Sequence, residues 1–407
     1  MARCNRGHFE ALLSRLAEEQ PDLDEASNLR NRSLFRVLSA LISELIADAS
    51  AEALSNEMPK WLVELCTIWH QTGSSVLCFN YDTLVENSVM ALLLYDPQVD
   101  RRVQPDDIID RLPPLPNGQG RFGPGPMPET INLYKLHGSI YWFATPNDAS
   151  GATLARRPVR AGWGRPESLD PGELEREMPG RETFIVPPAS AKSAYYRNPA
   201  LRQIWQNAGR ALEAAEEIHL IGYSLQPADL VARGMFTERP RTDVRWTVVN
   251  PDPDPVVEQL RDIGVDPDRV EIIHTVEEYT ARCLRKLSRE AVNQLESAAQ
   301  RVDPASPVVV SWGTLEVYPV ARCRGPQRVL LASSAGANLH HFSTDGVLTA
   351  GELLAVLQDS HSQEPVEVEL FGERSPVLAI TPIEVADPRL PPLGLVIARR
   401  MPSDDSQ

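Results

Sequence analysis

The chain has 407 residues, with 56 acidic and 40 basic side chains and a formal net charge of −16. A chain of this length is expected to form about two or three domains with a sizeable core, and its 42% hydrophobic content excludes global disorder. The acidic balance argues against a sequence-independent nucleic-acid binder, because such a protein needs many cations to meet phosphates. A local anion pocket is still allowed.

The cysteines and the apolar segments indicate the compartment. The five cysteines lie far apart in the sequence and form no CxxC pair, which excludes a four-cysteine zinc site. An odd and scattered set fits a reducing compartment better than a disulfide framework. No apolar run approaches the length of a transmembrane helix, and the first residues lack the apolar segment of a signal peptide. We therefore expect a cytoplasmic protein with no bound metal and no membrane contact.

The first part of the chain reads as helical and then changes to a strand followed by a helix. Over residues 8–71, apolar side chains recur at helical spacing. SSVLCFNY, residues 74–81, is a short apolar run that predicts a buried strand. A helix is predicted over 83–95, where Thr83 and Glu86 have the spacing of a capping box.

Two segments rich in proline and glycine, 96–130 and 144–182, predict loop insertions. Between them, INLYKLHG at 131–138 predicts a second strand, and FIVPP at 184–188 is a short strand-like piece. A literal GxGxxG motif occurs at 118–123, inside the first insertion. Because prolines surround it and no helix follows, it predicts a loop rather than a dinucleotide site.

Beyond the second insertion, short apolar strands alternate with helices. This alternation is typical of a parallel, doubly wound α/β sheet. Helices are predicted over 199–216, 227–236, 254–264 and 276–302, and strands over 217–225, 245–250 and 270–274.

After the last of these helices the pattern changes to strands with one helix, 350–358, which has Thr349 as a plausible N-cap and Glu352 three residues later. We therefore predict a first domain over 1–304 and a smaller β-rich C-terminal domain over 305–407. This second domain is equally compatible with a structural or oligomerisation module and with a sensor or partner-binding unit.

Polar or small residues follow each predicted parallel strand at its carboxyl end. In an open α/β sheet the ligand crevice lies at these ends. Each residue alone also fits a helix cap or a turn, but together they indicate one ligand site. They are Asn80 and Asp82 after the first strand, His137, Gly138 and Ser139 after the second, Gly222 and Ser224 after the third, and Asn250 after the fourth.

Two other patterns favour simpler interpretations. GYSLQ, residues 222–226, resembles the first half of a nucleophile elbow, but its fifth position is glutamine rather than glycine, which disfavours a serine hydrolase. His340 and His341, with Asp345 nearby, could suggest a metal site. Because adjacent residues on a strand point to opposite faces, this pattern is more typical of a surface pair.

The stretches FNYDTLVEN, KLHGSIYW, LIGYSLQPAD and VVNPD resemble, in this order, the motifs of the sirtuin-like (silent information regulator) domain. The likeness is to the branch that is common in bacterial antiphage defence proteins, and it covers about residues 8–285. It implies a Rossmann-like fold that binds NAD⁺ and, for this branch, hydrolysis of NAD⁺ to ADP-ribose and nicotinamide. The zinc ribbon of protein-deacylating sirtuins needs two cysteine pairs, which this chain lacks, so deacylation is disfavoured.

The resemblance also implies roles for the residues at the strand ends. His137 would be the base or the hydrogen-bond partner of the ribose hydroxyls. Asn80 would hold the nicotinamide ribose and the attacking water, and Asp82 would orient the turn or contact the nicotinamide side. The expected NAD-binding residues are Gly138, for close backbone approach, Gly222 and Ser224, for the phosphates or a ribose, and Asn250, for the adenosine ribose.

One departure from the family bears on activity. The family domain opens with a strand and a Gly-Ala-Gly-x-Ser loop that holds the NAD⁺ phosphates, and no such motif precedes residue 8 here. Either the start codon is assigned too late, or the chain is a degenerate copy. For the chain as written we expect unpaired backbone at the place of that strand and weak NAD⁺ binding, because the loop supplies N–H donors.

The function predicted first is therefore an NAD⁺-hydrolysing antiphage effector. The alternatives are a catalytically inactive sirtuin-like binding or scaffold protein and a sensor of a nucleotide ligand. NAD⁺ is the expected partner as substrate, a protein trigger could act through the C-terminal domain, and a homo-oligomer is compatible with the sequence. Nucleic acid is not expected as a partner.

Overall fold

The computed structural model describes the part of the chain from residue 6 to residue 397 with gaps. The described residues are 6–92, 94–96, 99, 101–110, 113–114, 127–146, 148, 151–160, 162–164, 171–189, 192, 195–227, 229–299, 302–311, 316–324, 329–332, 337–338, 346–358, 366–370, 373–382 and 393–397. The GxGxxG motif at 118–123 and the trio His340, His341 and Asp345 lie outside them.

Three helices open the described chain, as the apolar spacing predicts. The Asp24 carboxylate accepts a hydrogen bond from the Ser27 amide at 2.7 Å and so caps the second of them. The helices are α1 (Arg6–Ala17), α2 (Glu25–Ser55) and α3 (Lys60–Gln71).

Strands and short helices follow over the next hundred residues. The predicted strands at 74–81 and 131–138 are present in shortened form, and both predicted loop insertions contain short elements. The elements are β1 (Ser75–Cys78), α4 (Leu84–Leu92), β2 (Tyr95–Asp96), β3 (Arg101–Arg102), α5 (Pro105–Ile108), β4 (Asn132–Lys135), β5 (Gly138–Ala144), β6 (Ala155–Arg156), α6 (Pro171–Glu177) and β7 (Glu182–Ile185).

The alternating segment predicted from residue 199 is confirmed. Its apolar residues, among them Ile204, Leu220, Trp246 and Leu260, pack into one core cluster. The elements are α7 (Pro199–Ala214), β8 (Glu217–Ile221), α8 (Leu230–Glu238), β9 (Arg245–Val249), α9 (Asp254–Asp262), β10 (Val270–Ile273) and α10 (Val276–Ala299).

The remainder is rich in strands. The capping box predicted for Thr349 and Glu352 forms, because Thr349 N–H donates to Glu352 Oε2 at 2.8 Å and Glu352 N–H donates to Thr349 Oγ1 at 3.3 Å. The elements are β11 (Val308–Ser311), β12 (Glu316–Arg324), β13 (Val329–Ala332), β14 (Ala337–Asn338), α11 (Ala350–Gln358), β15 (Glu367–Leu370), β16 (Glu373–Pro382) and β17 (Leu393–Ile397).

The chain has a mixed α/β structure with parallel sheets. β1 pairs in parallel with β4, and β8, β9 and β10 form a second parallel sheet in the order β10-β9-β8. The sequence predicted one continuous parallel sheet, but among the described residues these strands form two. A seven-stranded sheet, in the order β11-β17-β16-β15-β13-β12-β14, has its own core cluster, to which α10 contributes Ala291.

Candidate functional site

The chain reverses its direction sharply after β4, and this turn positions His137. The Leu136 amide still continues the parallel ladder by donating to the Cys78 carbonyl at 3.0 Å. Gly138 then has φ +78°, and a Cβ there would collide with the Phe184 carbonyl. The backbone therefore reverses at a position that only glycine fits, and His137 lies at the carboxyl end of β4.

Because of this close contact, substitution of Gly138 is expected to lower the stability of the fold. We expect Gly138→Ala to lower the free energy of unfolding by at least about 2 kcal/mol, from the strained φ and the steric overlap together. Gly222→Ala is the matched control, because Gly222 has φ +63° but open space around the added Cβ, so only the cost of strain applies, about 1 kcal/mol. Urea unfolding of both variants measures the difference, and equal losses would contradict the close approach at Gly138.

The His137 imidazole is enclosed by aromatic rings. Its ring centroid lies 5.3 Å from that of Phe79, 6.2 Å from that of Tyr81 and 6.2 Å from that of Trp205. Only 6% of the residue is exposed. Burial lowers the pKa of His137, and this effect exceeds the opposing effect of the Asp229 carboxylate. The imidazole is therefore neutral at pH 7 and can accept a proton.

A buried ion pair lies beside the imidazole. Asp229 Oδ2 lies 3.4 Å from His137 Nε2 and 2.9 Å from Lys192 Nζ. Burial alone would raise the pKa of Asp229, but His137 and Lys192 outweigh it and lower that pKa to about 2. The carboxylate is thus charged throughout the neutral range and pairs mainly with the ammonium, since 3.4 Å is long for a hydrogen bond.

Several polar atoms around Asp229 have unused hydrogen-bonding capacity. Among the described residues, His137 Nε2, Asp229 Oδ1, Tyr196 Oη and Tyr223 Oη are buried without a hydrogen-bond partner. Burial, and next the charge of Asp229, raise the pKa of both tyrosines, so their hydroxyls stay protonated. Buried polar groups are almost always paired in native proteins, and this set is therefore suited to a ligand with several hydroxyl groups.

The Asn80–Asp82 turn lies next to this cluster, and the structure gives its two predicted residues different surroundings. Asn80 is exposed and lines a cavity. The Asp82 carboxylate accepts a hydrogen bond from the Leu84 amide at 3.0 Å and caps α4. This contact is compatible with the orienting role that the resemblance implies for Asp82, and the site roles of Asp82 and Asn80 stay predictions.

The capping box predicted for Thr83 and Glu86 is wrong, because Glu86 has a different partner. Its Oε1 atom lies 3.6 Å from Lys135 Nζ, and the two side chains are only 2% and 1% exposed. Lys135 also donates to the Asp82 carbonyl. Burial lowers the pKa of Lys135, but the Glu86 carboxylate outweighs it and raises that pKa. Lys135, at the end of β4, is therefore tied to α4 by a buried ion pair and to the turn after β1 by a hydrogen bond.

The third and fourth strand ends are ordered mostly by local hydrogen bonds. The Gly222 amide donates to the Val249 carbonyl at 3.0 Å, Ser224 Oγ accepts from Gln226 Nε2 at 2.8 Å, and Asn250 Oδ1 accepts from the Asp252 amide at 2.9 Å. These contacts fit turns, and the predicted roles of Gly222, Ser224 and Asn250 in binding NAD⁺ stay predictions.

An aromatic stack joins the ends of the two parallel sheets. Phe79, after β1, lies against Tyr223, after β8, with ring centroids 4.2 Å apart and an interplanar angle of 6°. This stack brings the first and third predicted strand ends, Asn80 and Gly222, to the lining of one cavity. The strand ends therefore converge in part, as the sequence predicts.

That cavity separates the two parallel sheets and has a volume of about 1350 Å³. Residues of β1 and of β8 line it, together with Leu212, Phe236, Trp69 and Tyr279 from the packed helices. Among the described strands, β1 pairs only with β4, and β8 pairs in its own sheet only with β9. The facing edges of β1 and β8 are therefore unpaired along the cavity, and their backbone groups make no strand-to-strand hydrogen bonds there.

The sequence did not identify four polar members of the cluster. Tyr223 lies between two predicted site residues, Gly222 and Ser224, and the other three are Asp229, Tyr196 and Lys192. Asp229 precedes α8 and reads as a helix start, Tyr196 lies in a short 3₁₀ turn, and Lys192 lies in irregular chain. Of these three, only Asp229 had a local signal, since it falls in the stretch LIGYSLQPAD. The other two reach the site through packing between distant parts of the chain.

Comparison of the chain with protein-family models, with curated proteins and with solved structures finds no match. No helix in the described part of the chain is long and apolar enough to cross a membrane.

Proposed function

We propose that this chain hydrolyses NAD⁺ to ADP-ribose and nicotinamide at the His137 cluster, as an antiphage effector of bacteria. The proposal includes a Rossmann-like N-terminal domain and a C-terminal domain that senses a trigger or a partner. The observation that carries it is a buried, neutral imidazole at the carboxyl end of β4, surrounded by polar atoms with unused hydrogen-bonding capacity. The order of the four motifs supports NAD⁺ as the substrate.

The reaction needs little acid catalysis from the protein. Nicotinamide leaves as a neutral pyridine when the bond between its ring nitrogen and ribose C1′ breaks, and the bonding electrons stay on that nitrogen. A water oxygen then bonds to C1′ of the oxocarbenium-like ribose, and His137 accepts the proton that the water or a ribose hydroxyl releases. The charged Asp229 near Nε2 stabilises the imidazolium that forms.

The affinity for NAD⁺ is expected to be weak. A pyrophosphate is held best by free backbone N–H groups at a turn. The Gly222 amide at the cavity already donates to the Val249 carbonyl at 3.0 Å, so it is not available to a phosphate. Turnover should therefore require a high concentration of NAD⁺.

A second candidate, ligand binding without turnover, is favoured by one observation. His137 is 6% exposed and does not line the cavity, whereas Phe79 and Tyr223 do, and Phe79 contacts both the imidazole and the Tyr223 ring. A dinucleotide needs this stack to open before its ribose reaches Nε2. If the stack stays closed, the cavity binds a ligand that is never hydrolysed.

Chromatography of the products separates these functions. The chain is incubated with millimolar NAD⁺, and the mixture is resolved for ADP-ribose, cyclic ADP-ribose and unchanged NAD⁺. Hydrolysis predicts ADP-ribose and nicotinamide in equal amounts. Cyclic ADP-ribose as the main product would contradict hydrolysis, and unchanged NAD⁺ would favour the binding protein.

The pH dependence of hydrolysis follows from His137. Its pKa is lowered from 6.5 by burial, so the imidazole stays neutral as the pH falls from 8 to about 6.5, and activity should hold in that range. Below 6.5, protonation of His137 should reduce both the rate and the stability of the fold, because the unfolded chain gains the proton first. Rates measured from about pH 5 to 8 test this, and an acid limb centred above 6.5 would contradict it.

A further inference from the structure

The long helix α2 presents an apolar stripe to solvent. Leu34, Val37, Leu41 and Leu45 are 48%, 55%, 46% and 68% exposed, and steps of three and four residues place them on one face of the helix. The buried residues of α2 are Asn28, Ser43, Ser50 and Leu54. The large apolar side chains of the stripe therefore face away from their own chain, which marks an interaction surface.

Charged residues extend the stripe at both ends, and their signs differ. Arg30 precedes Leu34 by four residues, while Asp48 and Glu52 follow Leu45 on the same face, and all three charged residues are exposed. Among the described residues, the Arg30 guanidinium donates to Ser27 Oγ at 3.0 Å, on its own helix. The stripe is therefore basic at its start, apolar in the middle and acidic at its end.

We propose that two copies of this chain associate through α2, with the two helices antiparallel about a twofold axis near residue 39. This arrangement places Arg30 of one copy opposite Asp48 of the other and Val37 beside Leu41, with Leu34 beside Leu45. Such a contact is isologous and closes after two subunits. A parallel pair would instead place Arg30 against Arg30 and Asp48 against Asp48, which repel. The proposal is independent of the proposed NAD⁺ hydrolysis.

The mass of the full chain in solution tests the association. In sedimentation equilibrium from about 1 to 100 µM, the mass should rise from 45.1 kDa toward twice that value. Leu41→Glu should weaken association at least about tenfold, because it buries a charge at the centre of the contact. The matched control is Leu29→Glu, at a leucine 57% exposed but off the stripe, and it should leave the mass unchanged.

Charge reversal tests the antiparallel arrangement. Arg30→Glu and Asp48→Arg should each weaken association, and the double variant should restore it, because the opposite charges again face each other. Circular dichroism serves as the check that each of these surface variants folds. A monomer at every concentration would overturn the proposal and assign the stripe to a different occupant. Single reversals without effect, in a chain that Leu41→Glu dissociates, would overturn the antiparallel geometry.

Discussion

His137→Ala is expected to reduce NAD⁺ hydrolysis by about 10² to 10⁴, the usual contribution of a general base. The imidazole is the neutral, buried base at the carboxyl end of β4, and its Nε2 has no hydrogen-bond partner among the described residues. Alanine removes that nitrogen and leaves the turn at Gly138 in place. Because alanine also leaves a cavity among the aromatic rings and lowers the free energy of unfolding, the rate should be measured under conditions in which the variant is folded.

Two further variants sharpen this test. His274→Ala is the matched control, because His274 is exposed after β10, and it should keep the wild-type rate. Asp229→Asn keeps the shape of the side chain but removes the charge near Nε2, so the rate should fall and the acid limb of the pH profile should move to lower pH. Wild-type activity in His137→Ala would refute the assignment of the base.

Lys135→Met is expected to lower the free energy of unfolding by about 3–5 kcal/mol, the usual cost of removing one partner of a buried ion pair. Lys135 and Glu86 are 1% and 2% exposed, so the remaining carboxylate has no access to water. The variant also loses the donation to the Asp82 carbonyl, and the turn that carries Asn80 should lose order.

Replacing both partners isolates the ion pair. In Lys135→Met combined with Glu86→Leu, no buried charge remains, and most of the lost stability should return, since apolar replacements of buried pairs are often neutral. Urea unfolding of the single and the double variant gives the comparison. A single variant within about 1 kcal/mol of wild type, or a double variant less stable than the single, would contradict the assignment.

Local sequence patterns could predict most elements of the parallel sheets. The strands β8, β9 and β10 are short apolar runs between helices, and this pattern can be recognised from neighbouring residues in the sequence alone. The same holds for His137, since it directly follows an apolar strand. β5 was missed because only two residues, Leu136 and His137, separate it from β4, and the pattern places Gly138 at the end of one strand rather than in the turn between two.

Long-range contacts account for what the sequence could not predict. Asp229 and Lys192 meet only because α8 and an irregular segment pack together, and no spacing encodes that. The capping box predicted for Thr83 and Glu86 does not form, because the Glu86 carboxylate pairs with the buried Lys135. Leaving that ammonium buried without an anion would cost more free energy than the loss of one helix cap. Whether β1 and β8 pair with each other also depends on distant parts of the chain, so the division into two parallel sheets could not be predicted from local patterns.

The most direct measurement is the rate of nicotinamide release from NAD⁺ labelled in the nicotinamide ring, with the wild-type chain and His137→Ala side by side. Because affinity should be weak, the assay runs at several millimolar concentrations of NAD⁺. We predict that the wild-type chain releases nicotinamide at a rate that rises almost linearly with NAD⁺, and that His137→Ala releases it at least about a hundredfold more slowly. Equal rates for the two chains, or no release above the uncatalysed background by the wild type, would contradict NAD⁺ hydrolysis at His137.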